Sequence, residues 1–69
     1  MKISARNMLK GTVKEIVDGA VNCEVVIALA GGAEITSIIT KSSLQRLGLA
    51  KGKTAYAVIK ASSVLVAVD

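Results

Sequence analysis

Hydrophobic and polar residues alternate with a two-residue period along most of this 69-residue chain. The clearest run is Val21 to Leu29, where Val21, Cys23, Val25, Ile27 and Leu29 share one face of an extended segment. Before it, Met8 to Val17 predicts a first strand, with Lys10, Thr12 and Lys14 set against Leu9, Gly11 and Val13. Asp18-Gly19 marks the turn between the two. Gly31-Gly32 predicts a tight two-residue hairpin turn, because glycine accepts positive φ, and Glu34 to Ile39 returns as a third strand. Thr40 then stands as the N-cap of a two-turn helix, Lys41 to Leu47, ended by Gly48, with Leu44 and Leu47 covering one end of the sheet. After a turn at Lys51-Gly52, Thr54 to Lys60 and Ser62 to Val68 predict fourth and fifth strands, joined at Ala61 with almost no loop.

Five strands with a short helix between the third and fourth predict a mainly β fold, a five-stranded OB-like Greek-key barrel. An SH3-like barrel is the alternative. No linker, repeat or low-complexity segment interrupts the order, so residues 1–69 read as one domain. Val26, Ala28, Val58 and Leu65 lie opposite the core set. Two partly apolar faces are the pattern expected when another subunit covers the barrel wall.

Composition sharpens that expectation. Hydrophobic residues make up 52% of the chain, yet Pro, Phe, Trp and His are absent and Tyr56 is the only aromatic. A chain this short buries only about 60% of its surface on folding, so a subunit interface is the expected destination of the apolar excess. A membrane suits the pattern poorly. The longest apolar stretch, Val25 to Ala33, contains two glycines and falls well short of the roughly 20 residues of a spanning helix. No signal-peptide pattern follows Lys2, and the expected location is cytoplasmic. Cys23 alone can neither close an internal disulfide nor hold a metal, and reads as a small buried hydrophobe.

The chemistry is confined to three polar clusters: Ser4-Ala5-Arg6-Asn7, Thr40-Lys41-Ser42-Ser43 and Lys60-Ala61-Ser62. They supply hydroxyl, guanidinium, ammonium and backbone N–H donors, with no carboxylate or histidine among them. Donors without an acceptor base suit a fully deprotonated oxyanion, and point to binding a small dianion rather than to catalysis. The net charge of +4 favours an anionic partner without selecting one. Each cluster also has an ordinary reading. Arg6 could be a surface arginine near a terminus, Lys60 a strand-end lysine reaching water, and Thr40 and Ser43 merely a helix cap. Their joint occurrence favours the ligand.

The same residues carry a resemblance. Ile3-Ser4-Ala5-Arg6-Asn7 followed by Leu9-Lys10-Gly11 resembles the opening of the Mop domain family. Gly19-Ala20-Val21-Asn22, Gly31-Gly32, Ile38-Ile39-Thr40, Leu47-Gly48-Leu49 with Lys51-Gly52-Lys53, and Val58-Ile59-Lys60-Ala61-Ser62 follow in the family's order. One departure is Met8, where the family usually has Gln. A free-standing domain of this size resembles the molbindins, small cytoplasmic molybdate-binding proteins. The resemblance implies an OB-like barrel assembled as a hexamer, a trimer of dimers, with molybdate or tungstate bound at subunit interfaces and no organic cofactor. It implies Ser4, Arg6, Thr40, Ser43, Lys60, Ala61 and Ser62 as ligands to the oxyanion. It also raises Ala20 to Asn22 as the segment of a second class of site, near three-fold axes. On this reading the three clusters converge only where one chain's opening segment meets a neighbour's later strands, and the role is molybdenum storage or homeostasis.

Two other classes compete. An OB-fold nucleic-acid-binding domain would suit the charge, but single-strand binders stack bases on aromatics and this chain offers only Tyr56. A purely structural oligomerisation module is the second rival, and the two-faced strands alone do not exclude it. An enzyme fits worst, with no histidine and no carboxylate pair in a motif. The expected partners are therefore molybdate and further copies of the chain, with no nucleic acid and no membrane.

Overall fold

Four strands, not five, form the sheet. The computed structural model describes residues 1–69, in the order β1 (Asn7–Asp18), β2 (Asn22–Leu29), β3 (Glu34–Thr40), α1 (Lys41–Leu47) and β4 (Thr54–Ile59). The sheet is antiparallel with strand order β3-β2-β1-β4. The long strand β1 serves two neighbours. Its first half pairs with β4, from Asn7 opposite Ile59 to Thr12 opposite Thr54, and its second half with β2, from Gly11 opposite Leu29 to Asp18 opposite Cys23. The β1–β2 register shifts between Val13 and Glu15, leaving Lys14 as an extra residue that bends and twists the strand. That bend curls the sheet around its apolar face.

Val13, Val25, Ile27 and Ala57 form the buried core, with Ile16, Leu29, Ile35, Ile39, Leu44, Leu49 and Ala55 packed against it. In β2, β3 and β4 these side chains come from alternate positions, as the two-residue period predicts; Val13 and Ile16 are spaced by three across the β1 bulge, Leu44 comes from α1 and Leu49 from the loop after it. Leu44 joins the core, whereas Leu47 is exposed and does not cover the sheet end as expected. Val21 is also exposed, one residue before β2 begins.

The turns show which glycines the backbone requires. Gly31 and Gly32 have φ of 86° and 95°, inside a 3-10 turn over Ala30–Gly32 that replaces the expected two-residue loop. Gly48 adopts the left-handed conformation as the C-cap of α1. Its N–H donates to the Gln45 carbonyl at 3.1 Å and that of Leu49 to the Leu44 carbonyl at 3.2 Å, satisfying two helix-end carbonyls.

The expected fifth strand is absent. After β4, a 3-10 turn over Ala61–Ser63 closes through Ser63 N–H to the Lys60 carbonyl at 2.9 Å. Val64 to Asp69 then runs on without pairing, and Leu65, Val66 and Val68 are 93%, 89% and 92% exposed. A strand requires a neighbouring edge for its N–H and C=O groups, and the turn carries this segment away from its own sheet. One chain alone therefore leaves the outer edges of β3 and β4 unpaired and the predicted barrel open.

Candidate anion site

Backbone pairing joins two of the three polar clusters. Asn7 opens β1 opposite Ile59, the last residue of β4. The Asn7 side-chain amide adds a second tie, donating from Nδ2 to the Ile59 carbonyl at 3.2 Å. Ser4 and Arg6, just before β1, and Lys60, Ala61 and Ser62, just after β4, thus lie at the same end of the sheet within one chain. Two of the three clusters therefore share one end of a single chain's sheet, whereas the expectation concerned the convergence of all three. Asn7, which stands in the opening motif but not among the expected ligands, ties the two segments together.

Ser4, Arg6, Lys60, Ala61 and Ser62 are all exposed. The chain's ion pairs are Lys14 with Glu34 and Lys41 with Asp18, the latter at 4.0 Å, so Arg6 and Lys60 carry charge that no carboxylate offsets. The 3-10 turn adds donors. Its closing bonds use the N–H groups of Ser63 and Val64, so those of Ala61 and Ser62 have no partner within the turn. An alanine can serve in an anion site through such a backbone N–H.

The third cluster lies elsewhere. Thr40 ends β3 opposite Asn22, beside the Asp18–Cys23 pair at the far end of β1. From Asn7 to Asp18 that strand spans roughly 35 Å at about 3.3 Å per residue. No small anion bridges such a distance. Thr40 is the N-cap of α1: its Oγ1 accepts from Ser43 N–H at 3.1 Å and donates to Ser43 Oγ at 2.9 Å. The capping role is thus realised, and it leaves the Ser43 hydroxyl proton free to donate outward. A hydroxyl polarised by a donor behind it is a stronger donor in front.

Beyond Thr40 the surroundings change sign. A shallow cavity of about 340 Å³ near Ala20–Asn22 is lined by Asp18 and Glu24, with Asn22 and Cys23. Two carboxylates oppose an anion there within one chain. Cys23 is buried as expected, and its Sγ also donates to Asp18 Oδ1 at 3.1 Å. That bond, reinforced by burial, pushes the thiol above its ordinary range. The two remaining cavities lie between β3 and β4 and are mostly apolar, touching none of the expected ligand residues.

Comparison with known proteins places the chain. The model of the TOBE domain matches residues 3–66. The chain belongs to the TOBE domain family. Among its relatives, this TOBE domain is 49% identical to a Haemophilus influenzae protein named "Probable molybdenum-pterin-binding protein", over the full length of both. Its fold is that of MopII from Clostridium pasteurianum, with a TM-score of 0.92, 45% identity, and coverage of 97% of this chain and 100% of MopII. A molybdate-bound structure of the cytoplasmic molybdate-binding protein ModG matches with a TM-score of 0.91 and 58% identity, over 94% of this TOBE domain and 46% of ModG. No helix of this TOBE domain is long and apolar enough to cross a membrane.

Proposed function

We propose that this protein binds molybdate, and tungstate with it, as a molbindin of the Mop type serving cytoplasmic molybdenum storage or homeostasis. The observation that carries the reading is the pairing of Asn7 with Ile59, which sets the unpaired cations Arg6 and Lys60 at one end of the sheet among hydroxyl and N–H donors. Relatives named for molybdenum-pterin or molybdate binding support the choice of anion.

Thr40 and Ser43 belong to the same site only through a second copy. One chain holds them at the opposite end of β1, so Ser4, Arg6, Lys60, Ala61 and Ser62 of one subunit meet Thr40 and Ser43 of another. The assembly is a homo-oligomer, a hexamer built as a trimer of dimers. A dianion gains from each cation about twice the roughly 4 kcal/mol of a unit pair at 4 Å and effective dielectric near 20. Desolvation of the anion and the ammonium offsets much of that gain, and the hydroxyl and N–H donors replace the lost water. Selectivity over sulfate, a smaller tetrahedron of the same charge, follows from cavity size and donor placement.

Calorimetric titration with molybdate, tungstate, sulfate and phosphate tests the proposal. Saturable heat is expected for the first two alone, varying little between pH 6 and 8 because the chain has no histidine to titrate there. Equal heats for all four anions, or none for molybdate, would refute it.

A further inference from the structure

We propose that the Asn7 side chain is a clasp that holds the like-charged Arg6 and Lys60 side by side before an anion arrives, and so presets the spacing of the two cations. The inference rests on the anion reading above and assigns a positioning residue to that site.

Register sets the two cations against each other. β1 and β4 pair antiparallel from Thr12 opposite Thr54 to Asn7 opposite Ile59. One residue further along each strand, the same register brings Arg6 opposite Lys60, and there the pairing stops. Neither cation has a carboxylate partner, since the chain's ion pairs are Lys14 with Glu34 and Lys41 with Asp18. Like charges facing each other across an antiparallel pair destabilise it. This end of the ladder also has no outer rung to hold it, so repulsion acts where the strands separate most readily.

The last rung is closed twice. Backbone pairing joins Asn7 to Ile59, and Asn7 Nδ2 donates to the Ile59 carbonyl at 3.2 Å. That is the one side-chain hydrogen bond between β1 and β4. It is partly buried, whereas the cations just outside it are exposed. An amide suits the task because it donates without carrying charge. An aspartate there would turn an acceptor toward the Ile59 carbonyl and set a carboxylate beside both cations, in the place of the anion.

Without the amide, backbone pairing alone opposes the repulsion, and part of the population opens. Apparent affinity then falls by the fraction that stays closed. Salt reverses the effect, because the Debye length shrinks from about 30 Å at about 0.01 M to about 3 Å at about 1 M. A side chain that only filled space at a strand end would show no such dependence.

Wild type, Asn7→Ala and the isosteric Asn7→Asp are compared at both salt concentrations, in buffer free of phosphate and sulfate. The first readout, amide hydrogen exchange, needs no molybdate. At low salt Asn7→Ala should lose protection at the Asn7–Ile59 end of the β1–β4 ladder, keep it between β2 and β3, and regain the lost protection at high salt. The second is calorimetric titration with molybdate. Asn7→Ala should bind about fivefold more weakly than wild type at low salt, within the range of one hydrogen bond. At high salt the two should agree within about 1.5-fold, the repulsion being screened. Asn7→Asp should bind more weakly than Asn7→Ala at low salt. Wild-type protection or wild-type affinity in Asn7→Ala at low salt overturns the clasp, as does a deficit that salt leaves unchanged or wild-type affinity in Asn7→Asp. Failure of the wild type to bind molybdate refutes the anion reading instead, and a salt-dependent loss of protection in Asn7→Ala then still establishes the clasp.

Discussion

Removing the Ser43 hydroxyl separates the capping of α1 from the binding of an anion. In the folded chain the cap runs through Ser43 N–H, which Thr40 Oγ1 accepts at 3.1 Å, and Ser43→Ala keeps that bond intact. What is lost is the Ser43 Oγ, which accepts the Thr40 proton at 2.9 Å and offers its own proton outward. Thr40 is exposed, so water replaces the lost acceptor and stability should change by no more than about 0.5 kcal/mol. For a domain of this size that is a melting shift within about 4 °C. Binding should respond differently. A hydrogen bond to a charged group contributes about 1.5–3 kcal/mol, so molybdate affinity should fall roughly tenfold to a hundredfold. Thr40→Val supplies the contrast, since it deletes the cap acceptor itself. It should cost about 1 kcal/mol, or about 4–8 °C in melting temperature, besides weakening the anion. The assays are calorimetric titration and thermal denaturation, both at one fixed protein concentration because assembly makes melting concentration-dependent. Wild-type molybdate affinity in Ser43→Ala would refute the reasoning and reduce residues 40–43 to a helix cap.

Arg6→Ala and Lys60→Ala should each lower molybdate affinity by about tenfold to a hundredfold in titration, and Lys10→Ala should leave it within twofold, about the screened contribution of an exposed strand lysine. A uniform loss across the three would indicate diffuse attraction instead of a site. Gly11→Ala should be among the most destabilising single changes, because the added Cβ would stand 2.5 Å from the Ala28 carbonyl oxygen in the centre of the sheet. A loss of about 3 kcal/mol or more is expected in chemical denaturation, against a usual overpacking range of about 1–3, and a loss under 1 would contradict the packing described. The raised Cys23 thiol favours its protonated form in the folded state, so its contribution to stability is fully present below pH 9.0 and is lost as pH rises through the higher folded value. Melting temperature should therefore decline at alkaline pH, more steeply in wild type than in Cys23→Ala, and iodoacetamide should alkylate the native thiol slowly at pH 8.

The elements built from local rules were legible in the residue order. Alternation of side chains placed β1 to β3 and β4 within a residue or two, since a half-buried strand needs only one apolar face. Thr40 and Gly48 bounded α1 because capping is a matter of a hydroxyl at one end and a left-handed residue at the other. The polar clusters could also be named from the residues, as donors with no base beside them. Non-local pairing decided the rest. Val64 to Val68 has the alternation of a strand, but strand character depends on a free edge within reach, and the turn at Ala61–Ser63 carries the segment off its own sheet. Leu47 carries an apolar side chain into water because the short helix turns only Leu44 toward the core. Nothing in the residue order revealed that Lys14 is extruded as a bulge and pairs with Glu34, two strands away, or that the Cys23 thiol bonds to Asp18. The division of the proposed anion site is of the same kind. Register sets Asn7 against Ile59 and Thr40 against Asn22, joining two clusters and holding the third a strand's length away, because hydrogen-bonded pairing links residues by position in space and not by position in the chain.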